Sequence, residues 1–510
     1  MAKNAHKDFL EQVEDYSISD IVIRNSVGDR LNIPIGIISE LNIFEDIQNN
    51  AVTGSMYIID NSNIISGAGL QGNERLSFKL TTPGRTGFNN VIDASERSGY
   101  PFHIYAVKNR KPASEKVLIY EVLFASRELL RNVRLRVNKA YSGRLDRQVK
   151  TILRDKDGLN TKKYIYLEPT RNSDTIVMPN VRPFDAINLL AERALPGNAK
   201  GAGYYFYETT KGFYFRSVEN MIAVQSKDPR PVERVLRYEQ PGATGPYDNR
   251  TFRTQNANVS SYEFVNQYDT LTNQAAGTYA SNVITYNIYD KSYSNVKYKY
   301  HDHYQRFMHT DTDNELQSTK RSYPIAQNPV DRDPKEGNAI GDKTVSDYPG
   351  SRVILQPSTR FLHGDDTGVF GTSTDNEGMT EAIRISQYNQ THFSTALKLV
   401  TTGASDLQAG HMIKFEMPNI TPDGPSPGEY QGDSKYSGRY LITKLRHRII
   451  GKSYQQVLHC IKDSVVRNHQ EIIGENFPDP ESPRKFVVDL SEDIDNTKHS
   501  GPHGGDLSTR

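Results

Sequence analysis

Several residue groups have types and spacings that chemistry uses. Gly67-Ala68-Gly69-Leu70-Gln71-Gly72 carries the spacing G-x-G-x-x-G. In a dinucleotide site that spacing follows a strand and opens a helix, so that backbone N–H groups meet a pyrophosphate. Here Leu76-Ser77-Phe78-Lys79-Leu80 follows and alternates as a strand, so the segment reads as a glycine-rich β-turn. His301-Asp302-His303, with His309, Asp311 and Asp313, offers imidazole and carboxylate ligands. Two histidines two apart share a face only in a strand. No H-E-x-x-H is present, and the Asp311–Leu316 stretch lacks the glycine of a calcium loop. These residues read as a solvated polar loop. Asp365-Asp366 is a carboxylate pair in glycine-rich loop sequence, with nothing that marks one member for a raised pKa. Arg131, Arg134, Arg136, Arg144 and Arg147 form a local basic cluster that reads as a solvated face, with an acidic partner surface as the alternative. Cys460 sits in an alternating strand and reads as a small buried hydrophobe. No Walker A or Cys/His nucleophile pattern occurs. The expectation is therefore no catalytic, cofactor-binding or metal residue, no cofactor, and no enzyme activity.

Composition narrows the classes further. Among 510 residues, Lys+Arg is 62 and Asp+Glu is 61, a net charge of +1. Bulk charge thus gives no argument for polyanion binding, and any basic face is local. No apolar run approaches the ~18 residues of a membrane span. Met1-Ala2-Lys3-Asn4-Ala5-His6-Lys7 lacks the apolar stretch of a signal peptide. The single cysteine excludes an intrachain disulfide and a cysteine-based zinc site. Tyr 30 and Phe 19 against Trp 0 suit half-buried strands.

The elements that would position these residues are mostly strands. Ile21 and Ile23, then Ile33, Ile35 and Ile37, then Leu41 and Ile43 alternate with other residues. Val52–Ile59, Leu76–Leu80, Phe102–Ala106 and Val117–Phe124 continue the series, with Gly, Asn, Asp and Pro between them. Period-two segments with such breaks read as an antiparallel sheet or barrel. The pattern changes near Arg131. Leu145, Val149, Ile152 and Leu153 have helical spacing, and Arg182-Pro183 opens a second helix with the stripe Phe184, Ile187, Leu190, Ala191 and Leu195. Tyr204–Glu208 and Gly212–Arg216 read as a hairpin. Residues 226–258 read as a connector. Ser261–Val265 and Gly277–Tyr286 then echo Leu41–Asp46 and Gly54–Ile58, a weak internal repeat that points to two copies of one barrel. A short helix is expected over Glu377–Gln390. Strands return at Ala396–Val400, Met412–Met417, Gly438–Thr443 and Tyr454–Ile461. From Glu471 on the chain reads as a flexible acidic tail.

Asn50–Asp60 followed by Leu70–Phe78 resembles the first barrel of the baseplate hub proteins of contractile-tailed bacteriophages. Tyr262–Gln267 with Gly277–Ser281 resembles the start of that family's second barrel, and Ser437–His447 its closing strands. Asn180–Leu195 with the 204–216 hairpin resembles the α+β domain between the barrels. The order of elements carries this resemblance, over most of residues 15–470.

The resemblance implies a mainly β chain with α+β. Its two tube-type antiparallel β-barrel domains are joined by a smaller α+β domain and an irregular insertion. The expected boundaries are 1–130 for the first barrel and 131–235 for the α+β domain. The second barrel takes 236–295 and 391–470, the insertion 296–390, and the acidic tail 471–510. It also implies a homotrimer, in which three chains present six barrels to a sixfold tail tube and a threefold spike. Implied partners are sister copies, the central spike protein, the tube or tube-initiator protein, baseplate wedge proteins, and phage DNA in passage without sequence-specific binding, with no membrane. The implied place is the virion baseplate, assembled in the host cytoplasm. Two alternatives remain: a hub-associated cell-wall hydrolase, and the hub module of a related contractile injection or secretion machine.

Overall fold

A computed structural model describes residues 16–25, 27–62, 64–67, 69–82, 90–223, 234–238, 258–288, 291–311, 322–326, 343–358, 377–417, 433 and 435–465. All belong to one unit, Met1–Val466. The expected acidic tail, Asp313 and the Asp365-Asp366 pair lie outside the described residues.

The first module has six principal strands. They are β1 (Ser17–Arg24), β2 (Ile38–Asp46), β3 (Thr53–Asp60), β4 (Arg75–Thr81), β5 (Phe102–Ser114) and β6 (Val117–Ala125). They run in the order β1-β4-β5-β6-β3-β2 and roll around one core. Period-two burial builds that core: Leu41 and Ile43, Met56 and Ile58, Phe78 and Leu80, and Tyr120, Val122 and Phe124 all point inward. Fully burying each such side chain is worth roughly 1.5–3 kcal/mol. Among the described residues β1 and β2 do not pair, so hydrogen bonds leave this roll open.

Next comes a small α+β layer. Helix α1 (Leu145–Arg154) and helix α2 (Pro183–Arg193) form where the helical spacing predicts them, and Pro183 occupies the first turn of α2, where its missing N–H costs nothing. Their apolar stripes cover the hairpin of β7 (Tyr204–Thr209) and β8 (Gly212–Ser217).

The second module contains β9 (Arg234–Tyr238), β10 (Asn258–Asn266), β11 (Thr395–Thr402), β12 (Met412–Glu416), β13 (Gly438–Ile450) and β14 (Ser453–Lys462). Their order is β9-β12-β13-β14-β11-β10, and β10 pairs back to β9, closing a six-stranded barrel. Strands β10 to β14 repeat β2 to β6 in order, direction and register. Gly54 faces Phe124 as Leu397 faces Cys460, and Ser55 faces Leu123 as Lys398 faces His459. Register breaks recur as well, between Ile104 and Ala106 and between Ile442 and Lys444. A further pair of breaks falls between Ile38 and Glu40 and between Val259 and Ser261. The sixth slot differs. β1 runs antiparallel to β4, whereas β9 runs parallel to both β12 and β10.

Three segments differ from the sequence reading. The expected repeat strand Gly277–Tyr286 is not in the barrel. Its part Ala280–Tyr286 pairs with Tyr293–Lys299 and Val353–Pro357 in a separate sheet, and β11 takes the barrel position instead. Alternation alone cannot name a strand's partner, and this strand's partners lie in another sheet. The connector 226–258 contains β9, a strand short enough to escape a periodicity test. Residues 296–311 are not a solvated loop: 296–306 are strand and helical turns, and His309 and Asp311 beyond them are buried. The predicted helix near the end of the insertion spans Glu377–Phe393.

Candidate assembly interface

The long strand β13 serves both modules. Its first residues, Gly438–Leu441, pair with β12 inside the closed barrel. Its last residues, Lys444–Ile450, pair antiparallel with β2 of the first module. This joint makes one continuous run of eight strands, β5-β6-β3-β2-β13-β14-β11-β10.

The joint is polar on the face away from the two cores. Lys444, Arg446 and Arg448 alternate along β13, and Glu40, Asn42, Phe44 and Asp46 alternate along β2. Arg446 donates from Nη2 to Glu40 Oε1 at 2.7 Å and from Nε to Asn42 Oδ1 at 2.8 Å. Arg448 Nε donates to Glu40 Oε1 at 3.1 Å, and Lys444 Nζ lies 3.1 Å from Asp46 Oδ2. Partial burial pushes the Glu40 carboxyl up, but hydrogen bonds from Arg448 and Asn42 and the two nearby guanidinium charges hold it below the usual range. The Arg446 guanidinium also lies over the Phe44 ring, 5.7 Å from its centroid. An open groove of about 390 Å³ runs along this face from Arg448 and Glu40 to Tyr105 and Glu121.

On the core side the joint is held by the α+β layer. The buried Glu45 of β2 accepts N–H bonds from Thr210, in the β7–β8 turn, at 2.7 Å and from Ala409, before β12, at 3.0 Å. Buried Arg216 of β8 donates to the Gly410 carbonyl at 2.8 Å. Lys163 lies between two buried carboxylates, Glu208 at 2.5 Å and Glu128 at 3.1 Å. Burial lowers its pKa, and the two carboxylates more than offset that, so the lysine stays charged. Glu208 also accepts the Val52 N–H at 3.0 Å, tying the hairpin to the start of β3.

Each end of the eight-strand run stops at an open edge. Beyond the two residues that meet β4, the β4-facing side of β5 from Ala106 to Ser114 has no strand partner among the described residues. The matching side of β10 has no strand partner beyond Val259 among the described residues. These edges correspond to the two halves of the internal joint, because β5 repeats as β13 and β2 as β10. The repeat places Lys108 where Arg446 stands and Glu263 where Asn42 stands. The open β5 edge carries Lys108, Arg110 and Lys111, and the open β10 edge carries Glu263.

The residues singled out from sequence sit elsewhere. In the Gly67–Gly72 segment the N–H groups of Gln71, Gly72 and Asn73 all donate to the Glu74 carboxylate, at 2.6 to 3.0 Å, so a side chain fills the cradle a phosphate would need. His309 Nδ1 bonds Asp463 at 2.8 Å, and Asp311 pairs with Lys462 at 2.9 Å, both buried against β14. Among the described residues no group of His, Cys, Asp and Glu is placed to hold a metal ion. Arg134, Arg136 and Arg147 are exposed, and Arg144 pairs with Asp146 at 2.8 Å. Cys460 is buried in β14, where burial pushes its thiol pKa up. Sequence reading missed the joint itself. Its signal is the period-two basic row 444-446-448 and the acidic and amide row 40-42-46.

No protein-family model matches the chain, and no curated protein sequence matches it. Solved structures do. Those that match are phage tail and baseplate proteins and type VI secretion proteins. A tail protein from Neisseria meningitidis MC58 superposes with a TM-score of 0.46 at 10% identity, over 88% of this chain and 97% of that one. The 43 kDa tail protein of prophage MuSo2 from Shewanella oneidensis gives 0.42 at 9% identity, over 88% and 98%. A component of the E. coli type VI secretion system, itself described as similar to T4 tail proteins, gives 0.36 at 12% identity, over 83% and 73%.

Proposed function

We propose that the chain is a structural subunit of a phage-tail baseplate: a homotrimeric central hub that joins the sixfold tail tube to the threefold spike and lets DNA pass. The observation that carries this reading is the internal joint together with two open edges that match its halves. A surface that pairs head to tail makes a ring if the rotation closes and a filament if it does not. Repeating the β2·β13 joint as β10·β5 between copies covers both ends of the eight-strand run, the usual cure for an aggregation-prone edge. Two modules per chain then give six around a ring of three. In this reading the tube or tube-initiator protein meets one rim, the spike the other, and wedge proteins the outside. The chain contributes shape and contacts rather than catalysis.

Charge reversal tests the pairing. Lys108→Glu and Glu263→Lys, each alone, are expected to shift the light-scattering mass of the full chain from trimer toward monomer, and the double reversal to restore the trimer. Native protein that stays monomeric at high concentration, or a double variant no better than the singles, contradicts the reading.

A further inference from the structure

The polar face of the eight-strand run carries a basic ladder whose charges are all engaged. Lys444, Arg446 and Arg448 project from one strand at every second residue, about 7 Å apart. Each is met from β2 by a carboxylate, Asp46 or Glu40, at 2.7 to 3.1 Å. At the far end of the run Lys398 is met in the same way by Glu263 at 3.0 Å. All four cations keep over a third of their side-chain surface in solvent. Ion pairs this exposed contribute little to stability. Their larger effect is on the local field. A row of unmatched cations on a groove binds nucleic-acid phosphates by releasing counterions, each neutralised phosphate adding about 0.9 to the salt slope. A row met by carboxylates at 2.7 to 3.1 Å, two carboxylates for three cations, presents much less free charge and grips phosphates far more weakly.

We infer that Glu40 and Asp46 are charge masks: they keep the Lys444–Arg446–Arg448 row from gripping the phosphate backbone of duplex DNA moving over this face. The inference rests on the proposed hub reading and adds to it that this face, turned away from both cores, lines the passage. The masks sit at the internal joint and away from the open edges, so removing them leaves the proposed contacts between copies untouched.

The test uses the full-length protein and a fluorescent DNA duplex of arbitrary sequence, with anisotropy read at low and at physiological salt. Native protein is expected to bind weakly. Glu40→Gln with Asp46→Asn is expected to bind at least ~10-fold tighter at low salt, with an affinity that falls as salt rises at a slope of about 0.9 per freed cation. Adding Arg446→Gln to that variant should remove much of the gain. Glu40→Gln alone gives a smaller gain and serves if the double variant folds poorly. Equal affinity of native and unmasked protein, whether weak or tight, overturns the inference. Mass is measured on the same samples. A monomer with the expected gain overturns the ring and keeps the masks, and a trimer without the gain does the reverse.

Discussion

At the residue scale the two modules solve one packing problem in opposite ways. In the first, a Cβ at Gly54 would run into the Phe124 ring. In the second, the equivalent pair is Leu397 and Cys460, large where the first is small. Close packing requires such compensation, because interiors hold few voids. Gly54→Ala is expected to cost about 1–3 kcal/mol by overpacking. Gly54→Leu combined with Phe124→Cys, which copies the second module, should recover at least ~1 kcal/mol relative to Gly54→Leu alone. Urea denaturation of these variants and of Phe124→Cys alone measures this, and strict additivity would contradict the equivalence. A second prediction concerns Lys211, in the β7–β8 turn. Burial lowers its pKa to about 8. The unfolded chain then binds the extra proton between pH 8 and the ordinary value of 10.5, so this group's contribution to stability rises with pH across that window. Lys211→Met should flatten that rise in melting temperature, and parallel pH curves for the two proteins would contradict it.

Strand β13 decides the architecture at the element scale, since it belongs to the closed barrel at one end and to the first module at the other. The amides of Arg446–Ile450 are therefore expected to resist hydrogen exchange as strongly as those of β14. Exchange as fast as in a solvated edge would mean that the joint is open in solution. Much of this level was legible in the sequence. Alternation marked β2, β3, β6, β13 and β14, and the Phe184–Leu195 stripe marked α2. The partner of β2 was not legible, because Arg446 and Asn42 stand 404 residues apart and periodicity carries no pairing information. The same gap put Ala280–Tyr286 in the wrong sheet. His309 and Asp311 were read as solvated because single polar residues reveal burial only through their partners, Asp463 and Lys462, which lie about 150 residues on. Of the candidate interface, the residue types were visible and their convergence was not.

For the whole molecule, the fold is mainly β, with a closed six-stranded barrel, a rolled partner sheet that repeats five of its strands, and a small α+β layer fastened behind their joint. Such an arrangement leaves two unlike, matching edges on one chain. A chain of this kind is stable in company, because a long open edge is a template for further pairing. The most direct measurement is electron microscopy of the purified protein viewed down the particle axis. The account predicts closed rings of three copies with six barrels around a central opening. Isolated single copies, or open filaments of copies joined end to end, would contradict it.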